Sequence, residues 1–149
     1  MKMESNNLIN EKEIFKAAER KLYNYKYIQD KLDIIEFKLN DITVSAIDYS
    51  KDTIGKTNAF SSIVENETIK REEKINQLQA EKKQLIYEKE LIDKVMNLLE
   101  PIEQEIVNLR YFSKDKKSWT EISLKMCISK ETCICLRRKI IRKIKDYVL

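Results

Sequence analysis

The chain has 149 residues, 42% of them hydrophobic and 36% charged, with a single glycine, a single proline and no histidine. So little turn chemistry excludes a sheet protein and predicts an all-α fold of one domain or two small ones. The missing histidine removes imidazole bases, His-based nucleophilic triads and most zinc sites, so no enzymatic role is expected. The net charge of +4 is uneven: residues 101–149 hold 12 Lys and Arg against 6 Asp and Glu, whereas residues 1–100 hold 17 against 19. A basic end joined to a nearly neutral one points to a nucleic-acid partner for the C-terminal part.

In chain order, the first signal is a run of Ile14, Ala18, Leu22, Tyr25, Ile28, Leu32, Ile35, Leu39 and Ile42. Its steps of 3 and 4 follow the coiled-coil period and predict one long helix in need of a partner. Residues 43–61 mix Ser, Thr, Asn and Asp with Gly55 and predict a connector, whose Tyr49, Ile54 and Phe60 are candidates for meeting a partner. Such a connector lets the flanking helices fold back as a hairpin. A second long helix is expected from about Ser62 to Leu98, with Leu78, Leu85, Ile92 and Leu99 seven residues apart and Lys82 and Lys89 weakening the other core position. Residues 1–99 thus form a helical coiled-coil or hairpin region, and residues 100–149 a separate domain.

That second domain opens at Pro101, whose fixed φ and missing N–H suit the first helical position. Ile102, Ile106, Leu109 and Phe112, with Val107 and Tyr111 beside them, predict a helix ending near Ser113. Ser118 with Glu121 fits a capping box for a short helix from Trp119 to Met126 that buries Trp119, Ile122 and Met126. Ser129 caps a last helix from Lys130 to about Tyr147, on which Cys133, Leu136, Ile140 and Ile144 form one stripe. Arg137, Arg138, Lys139, Arg142, Lys143 and Lys145 supply six cations on its other faces against Asp146 alone, so phosphates can approach without paired neutralisation. A short helix, a three-residue turn and a longer helix match a helix-turn-helix, in which the second helix enters the major groove. Lys130, Glu131, Thr132, Ile134 and Cys135 are then the base-facing residues. Lys117, Ser129, Arg137, Arg138, Lys139, Arg142 and Lys143 are the phosphate contacts.

The segment resembles region 4 of the sigma-factor superfamily in Leu99-Glu100-Pro101-Ile102-Glu103, in Leu109-Arg110-Tyr111 and in Ile128-Ser129. The resemblance covers about a third of the chain. With Ile134 and Cys135 standing where region 4 usually carries Arg and Gln, it implies a scaffold turned to a different site. The layout as a whole, helices and connector before such a module, resembles the phage-type transcriptional regulators of the ArpU and RinA group. That resemblance implies a sequence-specific activator of phage late genes. Two other roles fit the same pattern: an interaction protein that docks on RNA polymerase, and a DNA-packaging adaptor of the small-terminase type.

Cys127, Cys133 and Cys135 contain no Cys-x-x-Cys pair, so no metal or cofactor is expected, and an odd count of thiols suits a reducing compartment. Cys133 reads as a small buried residue, whereas Cys135 turns away from the core stripe. Gly55-Lys56-Thr57 lacks the partner glycine and preceding strand of a phosphate-binding loop. No apolar run reaches the length of a membrane span, and no apolar h-region opens the chain, so a cytoplasmic protein without membrane contact is expected. The expected partners are double-stranded DNA, RNA polymerase and a second copy pairing through the N-terminal helices.

Overall fold

The structure, a computed structural model, describes the backbone of residues 2–52 and 58–149 and the side chains of residues 10–45 and 65–149. All regular elements among the described residues are helical: α1 (Lys2–Tyr25), α2 (Ile28–Asp52), α3 (Asn58–Met96), α4 (Pro101–Val107), α5 (Trp119–Met126) and α6 (Lys130–Val148). The all-α fold is therefore as the composition predicts.

The apolar run from Ile14 to Ile42 does not form one helix. It breaks at Lys26 and Tyr27, where the Tyr27 amide donates to the Asn24 carbonyl three residues back at 3.0 Å instead of continuing the i to i−4 ladder. The two halves of the run serve different cores. Ala18 and Leu22 join the cluster containing Ile92, Val95, Leu99, Ile106, Ile122, Ile140 and Ile144, whereas Leu32 and Ile35 are buried apart from it.

The connector expected at 43–61 is also corrected. α2 continues to Asp52 and α3 begins at Asn58, so that within 43–61 the backbone of residues 53–57, with Ile54 and Gly55, lies outside the described residues. Thr43 and Ser45 are accommodated because their hydroxyls donate to the carbonyls of Leu39 and Asp41, four residues back, at 2.8 and 2.9 Å. This local bond satisfies a short polar side chain inside a helix. Tyr49 and Phe60 stand in helical backbone, and their side chains lie outside the described residues.

The chain divides into two compact units, Met1–Ile28 with Tyr87–Leu149, and Gln29–Ile86. The cut differs from one at residue 99, because α1 and the end of α3 share the C-terminal core. In the second unit, Lys82 of α3 reaches Glu36 of α2 at 2.6 Å. Leu32, Ile35, Leu78 and Leu85 are buried there by one chain alone, so those heptad positions are filled without a second copy.

Candidate nucleic-acid interface

The C-terminal elements of the first unit form as their caps dictate. Pro101 opens α4, and the Glu103 carboxylate accepts the Glu100 amide at 3.0 Å, occupying one of the donors that a helix start leaves free. α4 runs on through a π-helical turn, Asn108–Phe112, and stops at Ser113. Tyr111 of this turn lies fully inside the core with Ile106, Val107 and Leu109 of the expected face, whereas Ile102 is exposed and Glu103 is buried. Ser118 accepts the Glu121 amide at 3.2 Å and its own amide donates to the Glu121 carboxylate at 2.6 Å, which is the expected capping box. Ser129 accepts the Thr132 amide at 3.0 Å and caps α6.

Between α5 and α6, Cys127 takes φ 55° and ψ 38°. Glycine is the usual occupant of that left-handed position, because a Cβ there crowds the following carbonyl. The turn Cys127, Ile128, Ser129 therefore reverses the chain with a strained non-glycine residue. Ile122 is fully buried beneath it, while Trp119 and Met126 are only partly covered. α6 lies in the core with Cys133, Ile140, Ile141, Ile144 and Val148. Leu136 is only partly buried, and Ile141 and Val148 extend the stripe beyond what spacing alone predicted.

The cations of α6 fall into two groups, which corrects the reading that they meet no acids. Arg137 points inward: its Nε and Nη2 donate to the two carboxylate oxygens of Glu19 on α1, each at 2.7 Å, and its guanidinium lies 5.1 Å from the Phe15 ring centre. Tyr111 donates its hydroxyl to the same carboxylate at 2.6 Å. Burial pushes the Glu19 carboxyl up, but the bonds from Arg137 and Tyr111 and the arginine charges outweigh it, and the group titrates below its ordinary value. Burial, helped by the Glu19 bond, pushes the Tyr111 phenol up.

Lys143 donates to Glu103 at 2.7 Å, and Lys139 stands 3.4 Å from Glu103 and 3.5 Å from Glu100. Glu103 is 0% exposed. Burial alone would raise its carboxyl, but bonds from Lys143 and the Glu100 amide and the two lysine charges hold it below its ordinary value. Arg137 and Lys143 thus hold α6 to α1 and α4. A sequence scan for charge misses Glu19 and Glu103, because each meets its partner across 118 and 40 residues of chain.

Lys130, Arg138, Arg142 and Lys145 have no ion-pair partner among the described residues. Glu131, Cys135, Arg138, Arg142 and Asp146 follow one another at steps of 4, 3, 4 and 4 and are all exposed, so they form the outer ridge of α6. Of the base-facing candidates, Lys130, Glu131, Thr132 and Cys135 lie exposed on the first half of α6, although the Thr132 hydroxyl is bonded to that of Ser129 at 2.8 Å. Ile134 is half-buried. Lys117 is half-buried and its carbonyl accepts Arg110, which stacks 4.8 Å from the centre of Trp119. Ser129 is spent on its cap.

No group of His, Cys, Asp and Glu among the described residues has the geometry of a metal site, and no helix among them is long and apolar enough to cross a membrane. No curated protein and no solved structure matches the chain. A family model described as "Protein of unknown function (DUF722)" matches residues 19–146, from the Glu19 anchor on α1 almost to the end of α6, and the chain belongs to that family.

Proposed function

We propose that the chain is a sequence-specific, double-stranded-DNA-binding transcriptional regulator that lays the outer ridge of α6 into the major groove. One observation carries this reading. α6 is fixed from behind by its apolar stripe and its inner ion pairs, yet its capped N-terminal half and the cations Arg138 and Arg142 face solvent. A rigid helix presented in that way after a short helix and a tight turn suits groove entry. Arg138, Arg142 and Lys145 hold phosphates, and Lys130, Glu131 and Cys135 meet base edges, with Ile134 at their margin. The resemblance to sigma region 4 and to phage late-gene activators makes a promoter-proximal site the natural target.

The test is duplex binding by the full chain across a salt series, together with selection of bound fragments from a genomic library. Arg138→Ala with Arg142→Ala lowers the slope of log affinity against log salt by about 1.8, the value for two lost phosphate contacts. An unchanged slope refutes the assignment. An enriched motif supports specific regulation, and its absence with retained polymerase moves the role to docking.

A further inference from the structure

Two features of the described surface suit a contact beyond the one proposed with DNA. The first is a stripe on α2. Asp30, Ile34, Phe37, Asp41 and Val44 follow one another at steps of 4, 3, 4 and 3 on the side away from buried Leu32 and Ile35. Ile34 is 54% exposed, Phe37 73% and Val44 62%. Three large apolar side chains in line on one exposed helix face make a binding surface more than scattered surface hydrophobics do. The second feature is an open groove of about 510 Å³ between α1 and α6. Lys12, Arg142 and Lys145 rim it against Glu11 alone, and Ile14 and Phe15, above the buried Ile141, contribute its apolar lining.

The stripe is unsuited to pairing with itself. Asp30 and Asp41 stand in the same seam as the apolar residues, with Lys31 and Lys38 only at its flank, so two facing stripes would bring four carboxylates into their contact, which is costly. It calls for a surface that is apolar in its middle and basic at its edges, and the α1–α6 groove has that character. We infer that α2 of one copy docks through this stripe into the α1–α6 groove of a second copy, with Phe37 and Ile34 against Ile14 and Phe15, and Asp30 and Asp41 toward Lys12, Arg142 and Lys145. Such a contact is head-to-tail, since each copy gives a stripe and offers a groove, and it closes into a ring or extends as a chain. It needs no DNA, but it draws on Arg142 and Lys145, to which the DNA reading assigns phosphates, so a docked α2 and a duplex compete for them.

Two variants of the full chain separate the halves: Phe37→Ser with Asp41→Lys spoils the stripe, and Lys12→Glu with Lys145→Glu spoils the groove. All four positions are exposed or half-exposed, so circular dichroism shows both variants folded. In sedimentation, wild type forms species above the monomer mass whose share grows with protein concentration and shrinks with salt. Each variant alone is a monomer, and an equimolar mixture forms a one-to-one dimer, because one intact stripe and one intact groove remain. Wild type that stays monomeric, or a mixture that does, overturns the inference. So does a groove variant that assembles like wild type, which shows α2 pairing with itself, or one that loses only duplex affinity, which gives the groove to DNA.

Discussion

Replacing Glu19 with Gln removes the anion on which α1, α4's π-helical turn and α6 converge. Its carboxylate takes three donors, two from Arg137 at 2.7 Å and the Tyr111 hydroxyl at 2.6 Å, while its side chain is 13% exposed. Glutamine keeps the volume but turns one acceptor into a donor and leaves the Arg137 charge half-buried without a counter-ion. Breaking a buried pair from one side costs about 3–5 kcal/mol, and because the Arg137 side chain is 30% exposed the lower end, about 3 kcal/mol, applies here. Tyr111→Phe removes one bond and leaves the ion pair, for about 1–2 kcal/mol. Urea denaturation of the two single variants and the double variant measures both costs, and a coupling of at least about 0.5 kcal/mol is expected for residues that share one carboxylate. Because Glu19 titrates below its ordinary value of 4.5 in the folded chain, its contribution is complete above that pH and is lost as pH falls through the folded value. Glu19→Gln therefore also flattens the acid limb of the stability curve. A loss under about 0.5 kcal/mol with an unchanged acid limb would refute the argument that this pair fastens α6 to α1.

Other outcomes follow from single features. Cys127→Gly relieves the left-handed strain and raises stability by up to about 1 kcal/mol in thermal melts, whereas Cys127→Val lowers it, because a β-branched side chain crowds φ 55° further. Ser129→Ala costs about 1 kcal/mol by freeing the amide of Thr132. Mass spectrometry after brief alkylation of the native chain finds Cys127 and Cys135 modified and Cys133 protected, since the first two are exposed and the third is buried, its thiol pushed up by that burial.

The parts legible in the sequence were those whose causes are local. Pro101, the Ser118 and Glu121 box and the Ser129 cap each act within four residues, and each starts a helix where predicted. The failures share a cause as well. Nothing at Lys26 and Tyr27 resembles a breaker: the run from Ile14 to Ile42 keeps its heptad spacing across the break, and only the two destinations of its apolar residues divide it. Thr43 and Ser45 read as loop by composition, yet their hydroxyls bond within the helix. The candidate interface was legible as a ridge but not as a charge count, because Glu19 and Glu103 neutralise Arg137 and Lys143 from helices that spacing could not place beside α6.

If α6 binds DNA as proposed, that division of cations limits how it can do so. Arg137 and Arg138 are consecutive, so they point about 100° apart around the helix, and the first is bound within the fold while the second faces out. With Lys130 at a base edge, Arg138, Arg142 and Lys145 remain for phosphates, which bounds the α6 share of the salt slope at about 2.7; the seven cations of the helix taken together would give about 6.3. Lys143→Ala tests the limit directly. Its ammonium lies 2.7 Å from a carboxylate with no exposure to water, and leaving that ion pair for a phosphate would strand the Glu103 charge in the interior. The variant is therefore expected to lose stability and keep its salt slope, while Arg142→Ala keeps stability and loses about 0.9 of slope. If Lys143→Ala also loses about 0.9, the Glu103 pair opens on binding, and α6 meets DNA with its inner charges as well as its ridge.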